Sequence, residues 1–122
     1  MIRKHIAQSD HYFKNALSAI EAGNTEKAGE FLWGSIAQAL KAVAARKGTE
    51  LNSHALLKRY AGELAKELED AAIWSDFYDA ELLHRNFYNL GFELEEVRGR
   101  VGRVREAVDK LIRLAVEPEP TS

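Results

Sequence analysis

Apolar residues recur along this chain at intervals of three and four, and the breaks in that rhythm fall at glycine or asparagine rather than at proline. Both prolines, Pro118 and Pro120, lie in the last five residues, so nothing stops helix formation before Glu117. The pattern predicts an all-α chain. A first helix over 4–22 places Ile6, Tyr12, Phe13, Leu17 and Ile20 on one side and ends at Gly23-Asn24, a left-handed exit followed by a cap. The second starts after Asn24 or Thr25, runs to Lys47 and stops at Gly48, burying Ala28, Leu32, Ser35, Ala39, Leu40 and Val43. A third over 53–70 takes its cap from Asn52 or Ser53; with Asn52 as cap, Leu51 and Leu56 hold the positions of a hydrophobic staple. Its inward residues are Leu57, Tyr60, Ala61, Leu64 and Leu68.

A turn at 71–75 leads to a fourth helix over 76–89, ended by Gly91, whose apolar stripe reads Phe77, Ala80 or Glu81, His84, Phe87 and Tyr88. That places His84 where a core residue would stand. The last helix, 93–116, carries Leu94, Val97, Val101, Val104, Val108, Leu111 and Ala115, the heptad spacing of a helix packed along a narrow seam, which serves a bundle or a dimer equally. The expected architecture is an up-and-down four- to five-helix bundle in one domain over 1–116, with a flexible tail over 117–122.

Composition narrows the function classes. The chain has 122 residues, enough for one ordinary core. Its 17 basic and 19 acidic residues leave a net charge of -2, so binding to nucleic acid would come from a local patch rather than a global field. Without cysteine there is no disulfide, thiolate nucleophile or cysteine-held zinc. The start, Met1-Ile-Arg-Lys-His-Ile6, lacks the apolar run of a secretory signal, and the least polar stretch, 31–40, is about half a membrane span, which predicts a cytoplasmic protein with no membrane partner. No phosphate-binding glycine loop, dinucleotide fingerprint, His-Glu-x-x-His or serine elbow is present. No cofactor is implied.

Candidate chemistry gathers in Ala80-Glu-Leu-Leu-His-Arg-Asn-Phe-Tyr-Asn89. His84 can act as a proton donor and acceptor near neutral pH, or as a core histidine bonded to Tyr88 or Asn86. His54, at the start of the third helix, stands where a helix amino terminus helps hold an anion, or is a solvent-exposed neighbour of the cap. Arg85 and Asn86 point about 100° apart on a helix, so they cannot both share the direction of His84. Glu81 and His84 have the Glu-x-x-His spacing of carboxylate-bridged metal bundles, but the chain has only that one pair, and no metal site is expected. On the last helix Arg98 and Arg105 share a stripe, with Arg100 and Arg103 on another; they offer phosphate contacts, or pair with Glu93, Glu95 and Glu96 on a solvated face.

The segment Ala22-Gly-Asn-Thr-Glu-Lys-Ala28, followed by Phe31-Leu-Trp33 and Ala39-Leu-Lys-Ala-Val-Ala44 before Gly48, resembles the first helical hairpin of the HEPN superfamily. Ser53-His54 and Leu83-His-Arg-Asn-Phe-Tyr88 look more narrowly like PaREP1 proteins, a family of small archaeal proteins placed near that superfamily. The resemblance implies a HEPN-like bundle, usually a homodimer, associated with RNA or with a nucleotidyltransferase-type protein partner. HEPN ribonucleases carry an arginine followed by a histidine after four to six residues. No arginine here has a histidine at that spacing, so the superfamily's catalytic pair does not transfer. Binding by His84, Arg85, Asn86, Tyr88, Arg98 and Arg105 is the leading expectation. The alternatives are a cryptic metal-independent ribonuclease using His84 with His54 or Arg85, and a purely structural dimerisation module.

Overall fold

Helix α2 (Thr25–Arg46) is apolar around most of its circumference, and the other helices are laid against it. A computed structural model describes residues 1–85 and 92–117, Arg85 by its backbone alone. Among these, the chain forms α1 (Ile2–Glu21), α2, α3 (His54–Glu67), α4 (Ala71–Arg85) and α5 (Leu94–Val116). No strand occurs among the described residues, as the periodicity predicts. Helices α1, α4 and α5 pack on α2, while α3 packs chiefly on α4.

Local chemistry sets each helix end. Gly23 and Gly48 adopt φ of +74° and +76°, so α1 and α2 leave through left-handed glycines. Asn24 Oδ1 accepts from Lys27 N–H at 3.1 Å and caps α2. The α3 cap is Ser53, whose Oγ accepts from Leu56 N–H at 3.2 Å, one residue later than the Asn52 alternative. The α5 start is held by Glu96, which accepts from the Glu93 N–H at 3.1 Å.

Two helix boundaries differ from the sequence expectation. Glu69, not a glycine, takes the left-handed exit of α3 at φ 52°, and Asp70 then accepts from Ala72 N–H at 3.2 Å to begin α4 at once. The expected turn at 71–75 is therefore the first turn of α4. Leu17 and Leu68, expected inside, are 42% and 41% exposed.

Small residues let α1 lie close to α2. Ser9 Oγ donates to the Ser35 carbonyl at 2.7 Å, and Ser35 Oγ donates back to the Ser9 carbonyl at 2.9 Å, both serines fully buried. Each such bond contributes about 1 kcal/mol, and removing one partner strands the other in an apolar interior. One turn away, the Tyr12 ring packs against Gly34, where a Cβ would come within 3.0 Å of it.

The α4–α5 seam is ionic at its edge. Lys110 Nζ lies 2.6 Å from Asp70 Oδ2, and Arg100 pairs with Asp79 at 3.4 Å. The Lys110 hydrogen bond, above all, holds the Asp70 carboxyl below the ordinary carboxylate value, with help from the Lys110 charge and the Ala72 N–H. Burial raises the Asp76 carboxyl, against the opposing charges of Arg103 and Lys110.

Because the folded pKa of Asp70 is depressed, its contribution to stability is present above the unfolded value near 4 and disappears as pH falls through the folded value. Asp70→Asn keeps an acceptor for the cap but loses the ion pair. The expected outcome is a loss of about 0.5–1 kcal/mol at pH 7, or a few degrees in thermal midpoint. Thermal melts across pH should show the gap to the unsubstituted protein closing below about pH 4; a gap that stays constant to pH 2.5 contradicts this reading.

Candidate functional site

Three helices each contribute one ring to a cluster at the end of the bundle where α3 begins and α4 finishes. Trp33 stands on α2, His54 opens α3, and His84 is the penultimate residue of α4. The ring centroids of Trp33 and His54 are 5.3 Å apart at 14°, those of Trp33 and His84 5.7 Å at 18°, and those of the two histidines 5.7 Å at 9°. All three planes are nearly parallel.

The layers differ in exposure. Trp33 is only 7% exposed and meets the fully buried Phe77 edge-on at 5.1 Å, so the indole is a fixed floor. His54 and His84 are exposed, and each ring lies near-parallel to the indole. His84 therefore does not occupy the core position that the apolar stripe gave it. Leu83 is buried in its place, and the inward face of α4 runs Ile73, Phe77, Ala80 and Leu83, with Glu81 buried beside it.

The reason lies in the approach of α4 to α2. At Gly29 a Cβ would meet the Leu83 carbonyl oxygen at 3.3 Å and the Leu83 Cβ at 3.4 Å. Glycine lets the last turn of α4 press its Leu83 onto α2, and the next residue, His84, is turned outward above Trp33, one helical turn along α2 from Gly29. The packing of Leu83 on α2 sets the direction of the imidazole.

The other candidates fall elsewhere. Asn86 and Tyr88 lie outside the described residues, as does the Arg85 side chain. Glu81 is buried while His84 is exposed, so the Glu-x-x-His pair is split between core and surface. Among the described residues no group of three histidine, cysteine, aspartate or glutamate side chains could hold a metal ion. On α5, Arg98 is bonded to Glu95 at 2.5 Å, and Arg105 pairs with Asp109 at 3.4 Å while lying over the Phe13 ring. These guanidinium groups are engaged with carboxylates of their own helix. The interhelical ion pair belongs to Arg100 instead, and both Asp79 and Asp76 feel α5 arginines.

A cleft of about 390 Å³ opens beside the rings, bordered by Trp33 and His54 and walled by Tyr12, Phe31, Gln38 and Lys41. A larger one, about 870 Å³, runs along α3 past Gly62 to Trp74 and holds none of the expected binding residues from His84 to Arg105, nor His54. The first is polar as well as aromatic and adjoins His54; volume alone does not decide between them.

Residues 4–108 match the family described as Archaeal PaREP1/PaREP8. This chain belongs to that family. The matched region spans Trp33, His54 and His84, so the whole ring cluster lies within the PaREP1 part of the chain. Among solved structures, a crystal structure of a protein from Sulfolobus solfataricus is similar with a TM-score of 0.77 at 18% identity, covering 90% of this chain and 97% of that one. At that identity the likeness establishes the shared helical-bundle fold alone. No curated protein matches the chain. Among the described residues no helix is long and apolar enough to cross a membrane.

Substituting Gly29 tests how the cluster is positioned. Gly29→Val drives a branched side chain into the Leu83 backbone and is expected to cost about 1–3 kcal/mol. It should also alter the near-ultraviolet signal of Trp33 before unfolding, because His84 moves with Leu83. A variant with unchanged midpoint and unchanged tryptophan signal contradicts the packing argument.

Proposed function

We propose that this PaREP1-family chain is an RNA-binding helical module whose contact face is the pair of exposed imidazoles over Trp33. The observation that carries this reading is the near-parallel arrangement of two exposed rings from separate helices on a buried indole. A planar face held from below presents a ready surface for an unpaired base, and base–aromatic stacking is worth about 1–3 kcal/mol per base. Imidazole adds ring N–H groups that can donate to phosphate or to base edges. The likeness to HEPN proteins read from residues 22–48 points the same way, toward RNA. The engaged state of Arg98 and Arg105 moves the proposed contact from α5 to the ring cluster.

One observation favours a second reading, a metal-independent ribonuclease. Two imidazoles with centroids 5.7 Å apart can flank one phosphodiester. One would take the proton of the ribose 2′-hydroxyl as its oxygen attacks phosphorus, and the other would give a proton to the departing 5′-oxygen, leaving a 2′,3′-cyclic phosphate and a 5′-hydroxyl.

Binding and cleavage separate in one experiment. Labelled single-stranded RNA is titrated against the unsubstituted protein, His54→Ala, His84→Ala and His84→Phe, at low and physiological salt, with circular dichroism confirming the fold. Each alanine variant is expected to bind about fivefold or more weakly, from the loss of one stacking ring, whereas His84→Phe keeps a ring and keeps affinity. Cleavage abolished in both His84 variants would make the site a ribonuclease. Affinity indifferent to all three substitutions sinks the proposal.

A further inference from the structure

The cleft beside the ring cluster has a composition that the rings alone do not explain. Its lining includes the stacked pair Tyr12 and Phe31, 6.2 Å between centroids at 24°. Tyr12 is seated there by its close contact with Gly34. The cleft's volume of about 390 Å³ falls at the small end of ligand sites, the size of one nucleotide rather than a protein segment.

Two polar groups are set in it with defined character. His5 Nδ1 lies 2.7 Å from Gln38 Oε1, which accepts when the ring proton is on Nδ1, and the Gln38 amide NH₂ is left as a donor to the cleft. Lys41 is half-buried and pairs with no carboxylate among the described residues, although Glu30 borders the same cleft and Glu50 the next. Lys41 also lines that neighbouring cleft, of about 330 Å³, so its side chain borders both. A half-buried cation without a protein counter-charge is stabilised by an anion brought from outside.

We infer that this cleft is a nucleotide subsite of the RNA-binding face, taking the nucleotide next to the one stacked at His54 and His84. Its base lies against Tyr12 and Phe31, an acceptor on the base edge meets the Gln38 NH₂, and the phosphate leading out of the cleft lies at Lys41. The subsite rests on the RNA reading above and shares its His54 border with the ring face, but the contacts assigned to it, Tyr12, Phe31, Gln38 and Lys41, are distinct from the two histidines.

The test uses the full chain with two probes, a labelled hexauridine and uridine 5′-monophosphate. Lys41→Met and Gln38→Glu alter partly exposed side chains, and circular dichroism confirms that both fold. Lys41→Met is expected to weaken hexauridine about tenfold and to flatten the dependence of log affinity on log salt by about 0.7, the share of one phosphate on a single strand. Gln38→Glu exchanges a donor for a negative charge and should weaken both probes. Hexauridine bound with the same affinity and salt slope by Lys41→Met overturns the subsite while leaving the ring face standing. Binding of the monophosphate without the hexamer removes the RNA reading and keeps the cleft as a mononucleotide site. Failure of both probes to bind overturns both inferences.

Discussion

The burial of α2 on several sides at once is the constraint on which the remaining structure depends. A helix with alanines at 28, 37, 39, 42 and 44 and glycine at 29, all buried, has too little side-chain bulk to hold neighbours at ordinary distance, so they come in close. Its small positions are specific sockets. Ser35 takes Ser9 of α1 in two buried hydrogen bonds, Gly34 takes the Tyr12 ring, and Gly29 takes the Leu83 backbone of α4. The large residues between them, Leu32, Trp33, Ile36 and Leu40, fill the space that remains. The ring cluster follows from this arrangement. Trp33 is held by Phe77 beneath it, and the α4 register that Gly29 allows brings His84 over its edge.

Most of the helices were legible because glycine and asparagine mark their ends. Gly23-Asn24 and Gly48 act at α1 and α2 as the residues imply, and the heptad on α5 lies against the bundle at Val97, Val104, Val108 and Leu111. The start of α4 was not legible, since the left-handed residue ending α3 is Glu69 and carries no compositional signal. The facing of His84 was lost for a related reason. Apolar residues stand at 80, 82, 83, 87 and 88, so periodicity alone admits more than one phase, and the choice is made by an approach between distant residues, Gly29 and Leu83. Trp33 escaped notice as a site residue because a helix apolar on nearly every face gives no direction in which to look.

Arg98, Arg100 and Arg105 of α5 have carboxylate partners. Four arginines within eight residues suggest a phosphate-binding surface, yet Arg98 and Arg105 hold carboxylates of their own helix and Arg100 ties α5 to α4 through Asp79. The polar cleft at the other side of α2 carries fewer charges but less compensation, with Lys41 facing no paired carboxylate among the described residues. For a chain of net charge -2, a contact built on stacked rings and one or two cations fits better than one built on a broad positive field.

Ultraviolet cross-linking of the purified protein to a single-stranded RNA, followed by peptide mapping, tests the central claim most directly. The account predicts adducts on the peptides that carry Trp33, His54 and His84, three segments distant in sequence that meet only in the folded bundle. Adducts confined to the α5 peptide with Arg98 and Arg105 would contradict it and return the contact to the basic stripe.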